Sequence, residues 1–259
     1  MNNTALITGS TSGIGYELAY IHAQRGGDLV LVARSKNKLE QIKKDLETKY
    51  KIIAHIIQKD LSLKDSAKEV HDDTIKNNIT IDYLINNAGF GDYGLFNESD
   101  WGKLERMINL NITTLTQLTK LFVNDMIKQG SGKIMNVAST AAFQSGPTMA
   151  VYYATKAYVL SFSEAINNEV KNNGVTVTTL CPGATKSGFQ EAASLQESRL
   201  VKGRNLPASK EVAEYGYNAM LKGKSVAIHG ILNYIFANSV RFFPRSSVVK
   251  ITRFIQDKR

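Results

Sequence analysis

Of the eleven tyrosines in the chain, Tyr152 alone has a lysine four residues on, Lys156. On a helix that spacing brings both side chains to one face. There the ammonium favours the phenolate and draws the phenol down from about 10 towards working pH. A tyrosine tuned this way can exchange a proton with a carbonyl or alkoxide oxygen. Ser139 stands earlier, at the end of an apolar, β-branched stretch, where its hydroxyl could donate to the same oxygen. Taken singly, a Tyr–Lys pair on a helix and a serine at a strand end are commonplace.

A second chemistry is written near the start, in Thr8-Gly9-Ser10-Thr11-Ser12-Gly13-Ile14-Gly15. Gly9 permits a sharp turn out of a strand, Gly13 a close backbone approach to a pyrophosphate, and Gly15 tight packing of the following helix. Ser10, Ser12 and Ile14 complete a loop whose free N–H groups, with the positive end of the helix, would hold phosphates. After the next strand comes Arg34 rather than the carboxylate that accepts from a ribose 2′-hydroxyl, and its fork of donors suits a 2′-phosphate. The expected cofactor is therefore NADP(H), with NAD(H) second. Asp60-Leu61 and Asn86-Asn87-Ala88-Gly89 follow two further strands. The carboxylate could accept from an adenine amino group, the amides bridge neighbouring strands, and Ala88 and Gly89 leave room for a ribose.

The elements that would position these residues alternate along the chain. Strands are expected at 5–8, 28–33, 54–58, 83–86, 133–138, 175–180 and 225–229, and helices at 13–25, 36–50, 63–78, 100–128 and 151–172. The third helix would open on a capping-box variant, Ser62 to Asp65. Apolar strands alternating with helices specify α/β architecture: a doubly wound, mostly parallel sheet covered on both faces, in a single Rossmann-type domain over 1–259.

Composition removes other classes. Over 259 residues there is one cysteine, Cys181, which excludes a disulfide framework and a thiolate metal site. Four scattered histidines show no metal-ligand spacing, so no metal is expected. The first residues run straight into a strand without a basic-then-apolar leader, and no apolar run reaches bilayer length, so a cytoplasmic location is expected. The net charge of +9 is concentrated: from Lys222 onward eight basic residues face only Asp257, and the rest is nearly neutral. A basic tail on a neutral body argues against nucleic-acid binding.

The whole set resembles the short-chain dehydrogenase/reductase family, in the subgroup with the T-G-x-x-x-G-x-G glycine pattern. The resemblance runs from Thr4 to about Ser187 and rests on 8–15, Asp60, 86–89, Asn111, Ser139, Tyr152-x-x-x-Lys156 and Cys181-Pro182-Gly183. It implies that Tyr152 is the general acid/base, that Lys156 lowers its pKa and bonds the nicotinamide ribose, and that Ser139 positions the substrate oxygen. It also implies that Asn111, rather than the nearby Asn109, sits at a helix kink holding a relay water. Pro182, Gly183, Thr185 and Ser187 would meet the nicotinamide carboxamide, with Ser187 where the family usually has threonine. Assembly as a homodimer or homotetramer, through the helices near 100–128 and 151–172, is a further implication.

The resulting expectation is an NADP(H)-dependent oxidoreductase that reduces a small-molecule ketone or aldehyde, or oxidises the alcohol. An NAD-dependent alcohol dehydrogenase and an NADPH-binding sensor with little turnover are the rivals; the filled Asn111, Ser139, Tyr152 and Lys156 positions argue against the sensor. Residues 185–210 would form a substrate lid, small and polar at Glu191, Ala192, Ala193 and Ser194. Phe90, Tyr93, Phe143, Met149 and Phe189 would wall a hydrophobic pocket, or serve simply as core. The extension at 231–259 interleaves aromatic and aliphatic residues with arginines, a pattern of short amphipathic helices with basic faces. Capping the cleft or a subunit interface is the preferred reading of that extension, ahead of peripheral contact with a membrane.

Overall fold

The computed structural model describes residues 3–193, 195, 198–199, 201–203 and 205–257. Ser194 of the expected lid and the terminal Lys258 and Arg259 lie outside the described residues. Seven strands form one parallel sheet: β1 (Thr4–Thr8), β2 (Asp28–Ala33), β3 (Ala54–Gln58), β4 (Tyr83–Asn86), β5 (Gly132–Val137), β6 (Val175–Cys181) and β7 (Val226–Ile228). Their order is β3-β2-β1-β4-β5-β6-β7. Helices α1 (Gly13–Gln24), α2 (Lys36–Tyr50) and α8 (Ser209–Leu221) cover one face; α3 (Ser66–Lys76), α5 (Leu115–Gln129) and α6 (Ala150–Val170) cover the other.

Strand alternation divides the apolar residues between two cores. Ala5, Ile7, Leu29 and Leu31 point into the first, with Leu18 and Leu39; Leu6, Val30 and Val32 point into the second, with Leu118 and Phe122. Burial on both faces explains why these strands read as unbroken apolar runs. The chain winds outward from β1 through β2 to β3, then returns to place β4 on the other side of β1. The reversal opens a crevice at the carboxyl ends of β1 and β4, the place where ligands bind in such sheets.

Three local expectations need correction. The long helix expected over 100–128 is interrupted: α4 (Trp101–Ile108) passes into a π-helical segment, Asn109–Thr114, before α5 begins. The capping box does not form. The Ser62 hydroxyl donates to Asp60 Oδ1 at 2.7 Å, and α3 starts only at Ser66, after Asp65 in the left-handed region at φ 61°. Phe143 leaves the expected pocket wall and packs instead with Val159, Cys181 and Ala237.

The segment expected as a lid carries α7 (Phe189–Ala192), and the extension folds into α9 (Ile231–Ser239) and α10 (Arg245–Gln256). Both of these last helices are fastened to the body. The Asn233 amide packs where a side chain on Gly183 would otherwise sit, and Gln256 is fully buried, its amide donating to the Tyr153 hydroxyl.

Candidate active site

The loops at the carboxyl ends of the strands gather the predicted residues along one edge of the sheet. Gly9 turns out of β1 with φ 66°, and its N–H donates to the Val32 carbonyl at 2.9 Å. A Cβ on Gly15 would lie 2.4 Å from the Gly9 carbonyl oxygen, so only glycine lets α1 pack this closely on the loop. Gly13 lies against Ser187, joining the first loop to the one after β6. Helix α1 opens at Ser12 with no side-chain cap and no acid in its first turn. Ser10 is buried behind the loop, and Ile14 packs into the first core.

Thr8 closes the crevice from below. Its Oγ1 accepts from the N–H groups of both Asn87 and Ala88 at 3.0 Å, while the Asn87 amide donates to the Thr8 and Gly9 carbonyls. Asn86 reaches the other way, to Asn136 on β5 at 2.9 Å. The amides after β4 thus tie β1, β4 and β5 together, in the bridging role expected for them. The tie through Thr8 is a contribution that sequence reasoning missed: Thr8 opens the glycine pattern, but its partners stand 79 and 80 residues on.

Arg34, beyond β2, is exposed and makes no ion pair among the described residues. Burial alone would raise the Asp60 carboxyl. The N–H and hydroxyl of Ser62 that it accepts, together with nearby Arg34 and Arg106, outweigh that and hold it below the usual carboxylate range. The Leu61 carbonyl accepts from Thr114 Oγ1 at 2.7 Å, which fixes this loop to the π-helical segment.

The catalytic candidates converge on α6. Tyr152 and Lys156 are both buried, on one face of the helix as their spacing requires. Ser139 stands just past β5, near enough to Tyr152 to favour its phenolate, and its hydroxyl donates to the Pro182 carbonyl at 3.4 Å. Ser139 Oγ also accepts from the Ala141 N–H at 3.1 Å. Asn111 is buried in the π-helical segment, and its amide donates to the Phe90 carbonyl at 3.0 Å and to Thr155 Oγ1 at 3.1 Å. Thr155 in turn donates to the Tyr152 carbonyl at 2.7 Å. Thr155 is a second missed residue; its signal was a hydroxyl one turn beyond Tyr152, on the same face.

The electrostatics reverse one expectation. Burial raises the Tyr152 phenol above its ordinary value, with the nearby Ser139 hydroxyl opposing. Burial likewise lowers Lys156 to about 8. The ammonium donates to the Val137 carbonyl at 2.8 Å and lies 5.8 Å from the centre of the Tyr152 ring. Desolvation is the largest cause of both shifts, with Cys181 opposing it at Lys156.

Beside Tyr152 lies a small cavity lined by Phe96, Leu104, Met107, Met149 and Val151, with Asp92, Ser99 and Thr148 as polar members. Phe90, Tyr93 and Phe189 pack around the same cluster, as do Ala193 and Leu195 of the expected lid. The Phe189 ring stands 5.3 Å from that of Tyr152. Beyond β6, the Pro182 carbonyl accepts from the Thr140 N–H, Thr185 Oγ1 donates to the Gly183 carbonyl at 2.9 Å, and Ser187 Oγ accepts from the Phe189 N–H.

The profile of the short chain dehydrogenase family matches residues 3–198. The chain belongs to the short-chain dehydrogenase family. Over 182 residues this short-chain dehydrogenase is 31% identical to the very-long-chain 3-oxoacyl-CoA reductase of Rattus norvegicus, covering 69% of the chain and 58% of that protein. It thus spans less than two thirds of the length of the first curated relatives that it matches. A short-chain dehydrogenase from Sphingobium yanoikuyae, solved in complex with NADPH, is similar with a TM-score of 0.82 and 30% identity, over 93% of this chain and 94% of that one. The bulky-bulky ketone specific alcohol dehydrogenase from Comamonas testosteroni follows with a TM-score of 0.79 and 29% identity, over 93% and 92%. Among the described residues of this short-chain dehydrogenase, no helix is long and apolar enough to cross a membrane.

Proposed function

We propose that this short-chain dehydrogenase is an NADP(H)-dependent oxidoreductase that interconverts a hydrophobic ketone or aldehyde and its alcohol. The observation that carries this reading is the burial of Tyr152 and Lys156 on one face of α6, with Tyr152 lining a largely apolar cavity. The residues present fit a dinucleotide. The uncapped, acid-free start of α1 offers N–H donors to a pyrophosphate, and Arg34 offers a guanidinium to a 2′-phosphate. Asp60 would face the adenine, with Leu61 beside it; Asn87, Ala88 and Gly89 would line the ribose; Pro182, Gly183, Thr185 and Ser187 would meet the carboxamide. Bound there, the nicotinamide supplies or accepts the hydride.

The chain's own groups handle the proton. In reduction, the hydroxyls of Ser139 and Tyr152 donate to the substrate oxygen, and Tyr152 gives up its proton as charge develops there. Because burial holds the phenol protonated, the donor form is the one present at neutral pH. Lys156, an ammonium next to the forming phenolate, stabilises it and would bond the ribose hydroxyls. Asn111, held by Phe90 and Thr155, fixes the far end of the proton path. The largely apolar cavity favours a hydrophobic carbonyl, and the substrates for which the relatives are named, a very-long-chain 3-oxoacyl-CoA and bulky ketones, are of that character. Assembly through α4, α5 and α6 as a dimer or tetramer belongs to the same reading.

The test is NADPH consumption, followed by absorbance, against aliphatic, aromatic and acyl-thioester ketones and aldehydes, with NADH in parallel and Tyr152→Phe as control. Turnover that prefers NADPH and falls by about 10²–10⁴-fold in Y152F supports the reading. Tight NADPH binding without reduction of any carbonyl would favour a sensor, and preference for NADH would overturn the role given to Arg34.

A further inference from the structure

Helix α10 is built inside out. Its buried positions are Thr252 and Gln256, while Ile251, Phe254 and Ile255 face solvent. Amphipathic helices of soluble domains ordinarily bury the apolar stripe and expose the polar one. Nor is the helix loosely attached: Gln256 is hydrogen-bonded to Tyr153, its carbonyl accepts from Ser198 Oγ at 2.8 Å, and the Arg199 guanidinium stacks 4.5 Å from the centre of the Phe254 ring. Helix α9 buries the small Ala237 and leaves its large apolar residues Ile231, Leu232 and Phe236 exposed. Between the two helices, Phe242 is 85% exposed and Phe243 58%.

The charges select what would cover this surface. Arg241, Arg245 and Lys250 are exposed, and none forms an ion pair among the described residues; Arg253 alone is paired, with Asp257 at 2.7 Å. From 231 to 256 the sequence contains no acid. A second copy meeting this face across a twofold axis would set cations against cations, since such an interface pairs a patch with itself. A surface that is apolar inside and anionic outside matches both features at once.

We propose that α9 and α10 dock on an anionic lipid surface, with Phe236, Phe242 and Phe243 in the acyl boundary and Arg241, Arg245 and Lys250 at the headgroups. Because α10 is hydrogen-bonded to Ser198 and to Tyr153 beside Tyr152, docking brings the bilayer close to the site. The docking itself stands independently of the reaction assigned above.

The full chain is to be co-sedimented with vesicles of phosphatidylcholine carrying phosphatidylserine, and with vesicles of phosphatidylcholine alone. The expected result is pelleting with the mixed vesicles that weakens with added salt and is much reduced on the neutral ones. The paired variant F236S/F242S should remain in the supernatant. The triple variant R241Q/R245Q/K250Q changes only exposed side chains; it should lose about fivefold in affinity per cation removed, and it holds the test if the first variant folds poorly. Circular dichroism checks folding of both. A chain that stays in the supernatant with both vesicles overturns the proposal. So does equal pelleting of the parent and the triple variant, or a dimer in sedimentation velocity that F236S/F242S abolishes while no vesicle is bound.

Discussion

The ammonium of Lys156 donates to the main-chain carbonyl of Val137, 2.8 Å away, across the gap between helix α6 and the end of strand β5. Burial there lowers its pKa from 10.5 to about 8. Below pH 8 the folded chain carries the full penalty of a desolvated charge. Between about 8 and 10.5 the unfolded chain holds a proton that the folded chain has released, so stability gained from this group rises with pH. Denaturant titrations of the parent and Lys156→Met from pH 7 to 10.5 should show the parent gaining about 3 kcal/mol relative to the variant. A pH-independent difference would mean that Lys156 does not titrate in that window.

Ser139 Oγ accepts from the Ala141 N–H in the turn that follows β5 and donates to the Pro182 carbonyl at 3.4 Å, beside Tyr152. Ser139→Ala removes one of two donors to the substrate oxygen and should lower kcat by about 10²–10³-fold with little change in NADPH affinity. Steady-state kinetics beside a cofactor-binding titration separates the two, and an unchanged kcat would remove Ser139 from the chemistry.

Thr155 links Asn111 to the carbonyl of Tyr152. Thr155→Val keeps the shape but leaves a buried Asn111 amide donor without that acceptor, at a cost of about 1–3 kcal/mol. The expected result is a lower Tm and a reduced kcat, both recovered in Thr155→Ser. If valine is tolerated and kcat is retained, Asn111 is held adequately by Phe90 alone.

Thr8 Oγ1 receives two main-chain donors, from Asn87 and Ala88. Thr8→Val orphans the Ala88 N–H at the crevice between β1 and β4 and should cost about 1–3 kcal/mol in unfolding free energy, while the Asn87 N–H keeps the Ile85 carbonyl at 3.1 Å. NADPH affinity should fall with it, since Gly9 and Ala88 are then no longer held in register. Thermal unfolding with and without NADPH measures the two effects.

Arg34→Asp replaces the guanidinium proposed for the 2′-phosphate with a carboxylate suited to a 2′-hydroxyl. The ratio of kcat/KM for NADPH over NADH should fall by at least about tenfold, corresponding to one charge-assisted hydrogen bond. An unchanged ratio would place the discrimination elsewhere.

The sheet was legible because parallel strands buried on both faces leave continuous apolar runs, and the structure agrees with 28–33, 54–58 and 83–86 residue for residue. The glycine loop was legible because each of its constraints concerns backbone space, which residue type reports directly. The π-helical turn was not legible from residue types, since Asn109–Thr114 uses those of an unbroken helix, and only the resemblance set a kink at Asn111. The capping box failed because Asp60, two residues before Ser62, competes for the same hydroxyl. The direction of the Tyr152 shift was missed because spacing reveals the neighbouring charge but not how completely both groups leave water. Thr8 and Thr155 act through contacts that only the fold creates.

The wide turn at Asn109–Thr114 also works as a phase shifter. A π turn holds one residue more than its α counterpart, so everything beyond it is rotated by about 100° relative to a continuous helix. Leu104 and Met107 can therefore face the cavity beside Tyr152, while Leu118, Phe122 and Met126 face the core beneath the sheet. Deleting a single residue there would not shorten a loop. It would bring the two halves back into step and turn one of the two stripes away from its partner.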